Sequence, residues 1–139
     1  HDLVQLERDL SKALIDAANQ VMPGHVHDEA KIVITEGLHY ETQFEDKLFL
    51  SWGIDLVGMT TLPEAVFARE LAMCYAHICM PNNYCLGVEI NAAELPVLLK
   101  AGVEAFKKII PIAVKTLASE EGEDCVCKHA LDNAILDKQ

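Results

Sequence analysis

The run from Gly53 to Glu70 constrains the fold more than any other part of the chain. Ile54, Leu56 and Val57 make a short apolar strand, and that strand runs straight into a helix. Thr61-x-x-Glu64 has capping-box spacing, and Pro63 falls in the first turn, where its missing N–H costs little. A strand end that meets a helix N-terminus is a corner prepared for anions. Unpaired N–H groups and the positive end of the helix dipole converge there. Thr60 and Thr61 add two hydroxyl donors at the same point.

The rest of the chain alternates in the same way. Leu3, Leu6, Leu10, Leu14, Ala17, Ala18 and Val21 recur at helical spacing, with charged residues between them, which predicts an amphipathic helix that Pro23-Gly24 ends. Lys31 to Glu36 is a β-branched strand. Glu45 to Trp52 is a helix stopped at Gly53. Met73 to Met80 reads as another apolar strand, broken by Pro81-Asn82-Asn83. Residues 92–117 predict a long helix, with Pro96 near its start and Pro111 kinking or dividing it. An acidic linker covers 119–124, and a last helix is expected from Cys125 to Leu136. Strands alternating with helices define an α/β fold with a mixed or parallel sheet flanked by helices, in one domain over 1–139. Three strands are few for a sheet covered on both faces, so partner strands from another segment or subunit are expected.

Twenty-two acids against 11 bases give a formal net charge of −11. Nucleic-acid binding needs a basic face, so that class is disfavoured, as is docking on an anionic membrane. No apolar run approaches the roughly 20 residues that span a bilayer. The His1-Asp2-Leu3 start resembles neither an initiator nor a signal peptide, and suggests a chain whose beginning lies elsewhere. Five cysteines are an odd number. Cys74, Cys79 and Cys85 lie in or beside an apolar segment, where cysteine packs as a small hydrophobe, so a reducing, cytoplasmic setting is expected.

Ligands of open α/β sheets bind beyond the carboxyl ends of the strands. Three such ends carry polar groups here: Glu36 to Thr42, Gly58 to Thr61, and Pro81 to Tyr84. Taken singly, each residue has an ordinary structural role: Tyr40 as a core or interface aromatic, Glu41 as a solvated acid, Asn83 as a turn residue, Met59 as core filler, Thr60-Thr61 as a helix cap. Their joint order is the stronger signal.

That order resembles the trimeric purine nucleoside phosphorylases and methylthioadenosine phosphorylases. Gly37-Leu38-His39-Tyr40-Glu41-Thr42 is similar to the family's glycine, proline, aromatic, Glu-Thr run. Gly58 to Glu64 is similar to its Gly-Met-(Ser/Thr)-Thr-x-Pro-Glu run, and Asn82-Asn83 to its Thr-Asn or Thr-Asp strand end. The resemblance covers essentially this whole chain but only the C-terminal half of a family member. It implies phosphorolysis of a 6-oxopurine nucleoside to free base and ribose 1-phosphate, within purine salvage. Phosphate is the co-substrate, no cofactor is needed, and the protein is a homo-oligomer, by analogy a trimer. It further implies that Tyr40 stacks on the purine or ribose, that Glu41 accepts the N1–H, and that Asn83, the catalytic residue, bonds N7 and O6. Met59 would lie beneath the ribose, and Thr60 would contact phosphate. Leu38 departs from the family's usual proline, and His39-Tyr40 from its Arg-Phe or Ser-Phe pair. Asn83 and Cys85 replace two aspartates of the adenine-specific branch. Leu86 to Val97 contains no histidine, which suits a 5′-methylthio group better than a 5′-hydroxyl.

The family's phosphate-gripping glycine loop and basic ligands have no counterpart in this sequence. Two rival readings therefore remain: a noncatalytic purine-binding or assembly module, and a nucleosidase using water. Cys125-Val126-Cys127-Lys128-His129 could be half of a metal site, but further ligands at structural-zinc spacing are not evident, and no metal is expected. Redox-sensitive thiols and plain packing are the other readings of that pair.

Overall fold

A computed structural model describes residues 8–85, 93–119, 125–132 and 134. The order of elements is α1 (Arg8–Val21), β1 (Ile32–Ile34), α2 (Gln43–Ser51), β2 (Leu56–Gly58), α3 (Thr61–Glu70), α4 (Leu95–Ser119) and a 3-10 turn, Val126–His129. Leu3 and Leu6, the residues 120–124 of the acidic linker and most of 133–139 lie outside the described residues, as do residues 86–92 of the segment expected to line a 5′ pocket.

Strands β1 and β2 pair in parallel, with Ile32 opposite Leu56, Val33 opposite Val57 and Ile34 opposite Gly58. Parallel neighbours need a crossover, and α2 supplies it. The entry to the sheet is pinned by Asp55, whose carboxylate accepts from the Lys31 backbone N–H at 2.7 Å and whose own N–H donates to the Lys31 carbonyl at 2.8 Å. Helix α2 ends as its sequence predicts. Gly53 has a φ of +73°, which a left-handed helix stop requires, and the Ile54 N–H returns to the Phe49 carbonyl at 3.1 Å.

The core lies between α1 and α4. Ala13, Ala17 and Ala18 of α1 are buried against Ile109 and Ala113 of α4. Small residues on α1 let the helices approach closely, while Leu14, Phe106, Ile112 and Leu117 pack around the seam. Pro111 does not divide α4, which runs on to Ser119. The proline removes one backbone donor on an exposed face, and Ile109 and Ala113 hold the buried stripe on either side of it.

Two other expectations are corrected. Met73 to Met80 forms no ladder with the described residues; the sheet there has two strands. Its side chains nonetheless alternate. Tyr75 and His77 reach α3, whereas Ile78 packs on the α1–α4 core and Met80 lies against Gly102. The segment has the side-chain period of a strand without a strand beside it. Among the described residues, the last expected helix is a 3-10 turn of four residues, Val126–His129. It is started by Cys125, whose sulfur accepts from the Cys127 N–H at 3.3 Å.

Several large apolar side chains face outward: Leu50, Trp52, Phe67 and Leu71 are all exposed by more than half. No helix among the described residues is long and apolar enough to cross a membrane.

Candidate functional site

A cleft of about 230 Å³ opens where the chain leaves β1, lined by Thr35, Glu36, Gly37, His39, Glu41 and Glu45. The turn that shapes it is built from two left-handed residues in succession, Gly37 at φ +75° and Leu38 at φ +78°. Glycine takes that value freely, but leucine pays about 1–2 kcal/mol. Proline cannot take it at all, because its ring holds φ near −65°. The departure noted at Leu38 therefore has a backbone counterpart. Leu38 itself is fully exposed.

Beyond the turn the chain is held at Glu41 and Thr42. The Thr35 hydroxyl donates to Glu41 Oε1 at 3.1 Å, which fixes the carboxylate at the cleft wall. Thr42 starts α2 with a complete capping box. Its Oγ1 accepts from the Glu45 N–H at 3.3 Å, and Glu45 Oε2 accepts from the Thr42 N–H at 2.8 Å. The backbone bond from Thr42, then the hydroxyl bond, hold the Glu45 carboxyl below its ordinary value. The Thr42-x-x-Glu45 spacing was present in the sequence and was the signal that sequence reasoning passed over.

Glu41, Asp46 and Cys85 bring their side-chain donor atoms within 4.8 Å of one another. Asp46 is buried in α2 at 7% exposure. Loss of water, then the charges of Asp46 and Glu41 and a hydrogen bond to Asp46, push the Cys85 thiol up. Cys85 stands two residues beyond Asn83, so the third polar loop reaches the Glu41 side of the cleft. Asn83 itself is half-buried, and the Tyr40 ring is exposed. The second loop arrives through Met59. A Cβ at Gly37 would stand 2.5 Å from Met59 Cε, so the methionine methyl lies directly over the turn. Met59 thus lies over the Gly37 turn, and Cys85 stands beside Glu41 at the cleft wall. The Tyr40 side chain is exposed to solvent, and its carbonyl lies 2.7 Å from His39 Nδ1.

The β2–α3 corner differs from its expected capping by one residue. Thr60 occupies the N-cap position, and its side chain makes no capping bond. Thr61 is already inside the helix, and its hydroxyl pairs with His77 Nδ1 at 2.8 Å. Glu64 then falls one position past the capping-box partner, and its carboxylate accepts from Tyr75 at 3.1 Å. Burial, reinforced by Glu64, pushes the Tyr75 hydroxyl up, and burial also raises the Cys79 thiol beside His77. Thr35, Asp46 and His77 were not foreseen, because their roles depend on contacts between distant segments.

A parallel β-α-β unit with polar loops beyond its strand ends defines an α/β protein of the kind whose ligands bind at the carboxyl ends of the strands. The chain belongs to the phosphorylase superfamily, whose model matches residues 1–119. It is 35% identical over 130 residues to a probable S-methyl-5′-thioinosine phosphorylase of Methanocaldococcus jannaschii, covering 93% of this chain and 49% of that protein. It is 37% identical over 130 residues to the 6-oxopurine nucleoside phosphorylase of Pyrococcus furiosus, covering 91% and 48% respectively. The crystal structure of methylthioadenosine phosphorylase from Schistosoma mansoni in complex with adenine superposes with a TM-score of 0.72 at 22% identity, over 90% of this chain and 49% of that one. That likeness establishes the fold. The chain spans about half the length of the curated relatives it matches.

Proposed function

We propose that these residues carry the base-recognition half of a purine nucleoside phosphorylase acting on 6-oxopurine nucleosides: inosine, guanosine or 5′-methylthioinosine. The observation that supports this reading is the placing of Met59 over the Gly37 turn and of Cys85, two residues beyond Asn83, beside Glu41. The names of the two archaeal relatives support the 6-oxo class.

In this reading, phosphate displaces the purine from C1′ of the sugar. The C1′–N9 bond breaks, its electron pair moves into the base, and a C1′–phosphate bond forms. Negative charge on the departing purine collects at N7 and O6, where Asn83 donates. Glu41, oriented by Thr35, accepts the N1–H that a 6-oxopurine has and adenine lacks. Tyr40 covers the purine or ribose face, and Met59 supports the ribose. Thr60, whose hydroxyl is not used in capping, contacts phosphate at the start of α3. Removing a donor that meets developing charge typically costs about 2.7–4 kcal/mol. The reaction needs no cofactor besides phosphate, and a reducing cytoplasm suits the five thiols.

The exposed apolar surface supports assembly. We assign that surface to the remainder of a phosphorylase chain and to neighbouring subunits, in a trimer by analogy with the family. The rival reading is a module that binds purine without cleaving the nucleoside.

Chromatographic release of hypoxanthine from inosine and 5′-methylthioinosine, with and without phosphate, separates the readings. The chain joined in line to a phosphorylase N-terminal half should release base only when phosphate is present. The 139-residue chain alone should bind base and release little. Binding without release by the joined protein supports the module, and release without phosphate supports a nucleosidase.

A further inference from the structure

Cys74 and Cys125 are 51 residues apart in sequence, yet their sulfurs stand 3.4 Å apart. Cys127 completes a set of three thiols whose Sγ atoms all lie within 4.8 Å of one another. The set joins two parts of the chain: Cys74 follows α3, and Cys125 and Cys127 open the 3-10 turn. It shares no residue with the cleft or with the Glu41, Asp46 and Cys85 group beside it.

We infer that Cys74, Cys125 and Cys127 form a three-thiolate site for a thiophilic d10 cation, with zinc(II) the ion to test first. Zinc–sulfur bonds of about 2.3 Å at tetrahedral angles put neighbouring sulfurs roughly 3.8 Å apart. The closest pair here is slightly inside that spacing, and the set as a whole is at most about 1 Å outside it. Small side-chain rotations therefore bring all three to bonding distance. Soft thiolate ligands select zinc and copper(I) over hard cations. The Cys127 backbone N–H donates to the Cys125 sulfur at 3.3 Å, the kind of bond that stabilises thiolate charge around a metal. Cys127 is buried at 8% exposure, so the ion would be shielded from water on that side and open on the other, where a water completes four-coordination. Binding exchanges three thiol protons for one dication, leaving the thiolate–metal unit with one negative charge.

The Cys-x-Cys pair is too short to be read as a zinc motif from sequence. Folding supplies the third ligand, Cys74, from 51 residues before Cys125. An ion there would tie the 3-10 turn to the segment after α3 and stabilise the chain by closing a long loop.

The test titrates the reduced, metal-free protein with zinc chloride under anaerobic conditions, and with cadmium chloride to observe the thiolate-to-metal ultraviolet band. Native mass spectrometry counts the ions. One ion per chain should bind, raise the unfolding temperature and protect three thiols from alkylation. Cys74→Ser and Cys125→Ser should each abolish stoichiometric binding, while Cys79→Ser and Cys85→Ser leave it intact. Should the buried Cys127→Ser variant fail to fold, the Cys74 and Cys125 variants, checked by circular dichroism, still decide the matter. The proposal is overturned if the reduced protein takes up no stoichiometric ion, if binding survives Cys74→Ser, or if Cys85→Ser removes it. A Cys74–Cys125 disulfide forming in air in a protein that binds no ion when reduced also overturns it.

Discussion

Alanine at Gly37 should destabilise the protein more than alanine at Gly24, and Met59 should be the reason. Both glycines are left-handed, at φ +75° and φ +77°. Alanine in that conformation costs about 1–2 kcal/mol at either site. At Gly24 nothing lies within 4 Å of the added Cβ, so the backbone term stands alone. At Gly37 the new carbon would stand 2.5 Å from Met59 Cε, against an ordinary carbon–carbon contact of about 3.5–4.0 Å. The methionine methyl is the free end of a flexible side chain and must swing aside, at about 0.5–1.5 kcal/mol for a displaced rotamer. Gly37→Ala should therefore cost roughly 1.5–3.5 kcal/mol. Urea unfolding of Gly24→Ala, Gly37→Ala, Met59→Ala and the Gly37→Ala/Met59→Ala double variant measures each term. The double variant should be less destabilised than the sum of its parts by about 0.5–1.5 kcal/mol. Equal costs at the two glycines, with no coupling to Met59, would refute the packing of the second loop over the turn.

Thr42→Ala removes a cap with two reciprocal bonds and should lower stability by about 1 kcal/mol in the same assay. Glu45 adds a pH dependence. Its folded pKa is depressed, so its stabilising contribution is present above the ordinary value of 4.5 and is lost as pH falls through the folded value. Glu45→Gln should flatten that acid limb of the stability profile. Ile109→Ala empties the centre of the α1–α4 seam and should cost about 2–5 kcal/mol, whereas Val114→Ala on the exposed face should stay within about 0.5 kcal/mol. Asn83→Asp should shift base preference toward adenine in competition binding, since a carboxyl group can accept from a 6-amino group.

The fold was legible where local pattern and tertiary context agree. Apolar spacing marked α1 and α4, β-branched runs marked β1 and β2, and Gly53 marked the end of α2. The pattern failed where the outcome depends on what lies alongside. Met73 to Met80 has the alternation of a strand, and its side chains do alternate between α3 and the α4 side, but a strand also needs a neighbour to pair with. At the β2–α3 corner the helix starts one residue before the expected position, which is enough to divert Thr61 to His77 and Glu64 to Tyr75. Pro111 marked a break that the packed seam overrides. Loop order brought Glu41, Met59 and the Asn83 segment into one hypothesis, but the bond of Thr35 to Glu41 and the approach of Asp46 to Glu41 come only through folding. Cys74 meets Cys125 across 51 positions, a distance no local spacing encodes.

Calorimetric titration with hypoxanthine and adenine addresses base recognition most directly, using the chain joined to a phosphorylase N-terminal half. Glu41 accepts a proton that hypoxanthine carries at N1 and adenine does not, so hypoxanthine should bind at least about tenfold more tightly, a difference of about 1.4 kcal/mol. Glu41→Ala should abolish that preference. Equal affinity for the two bases, or a preference for hypoxanthine that survives Glu41→Ala, would contradict the assignment of this cleft.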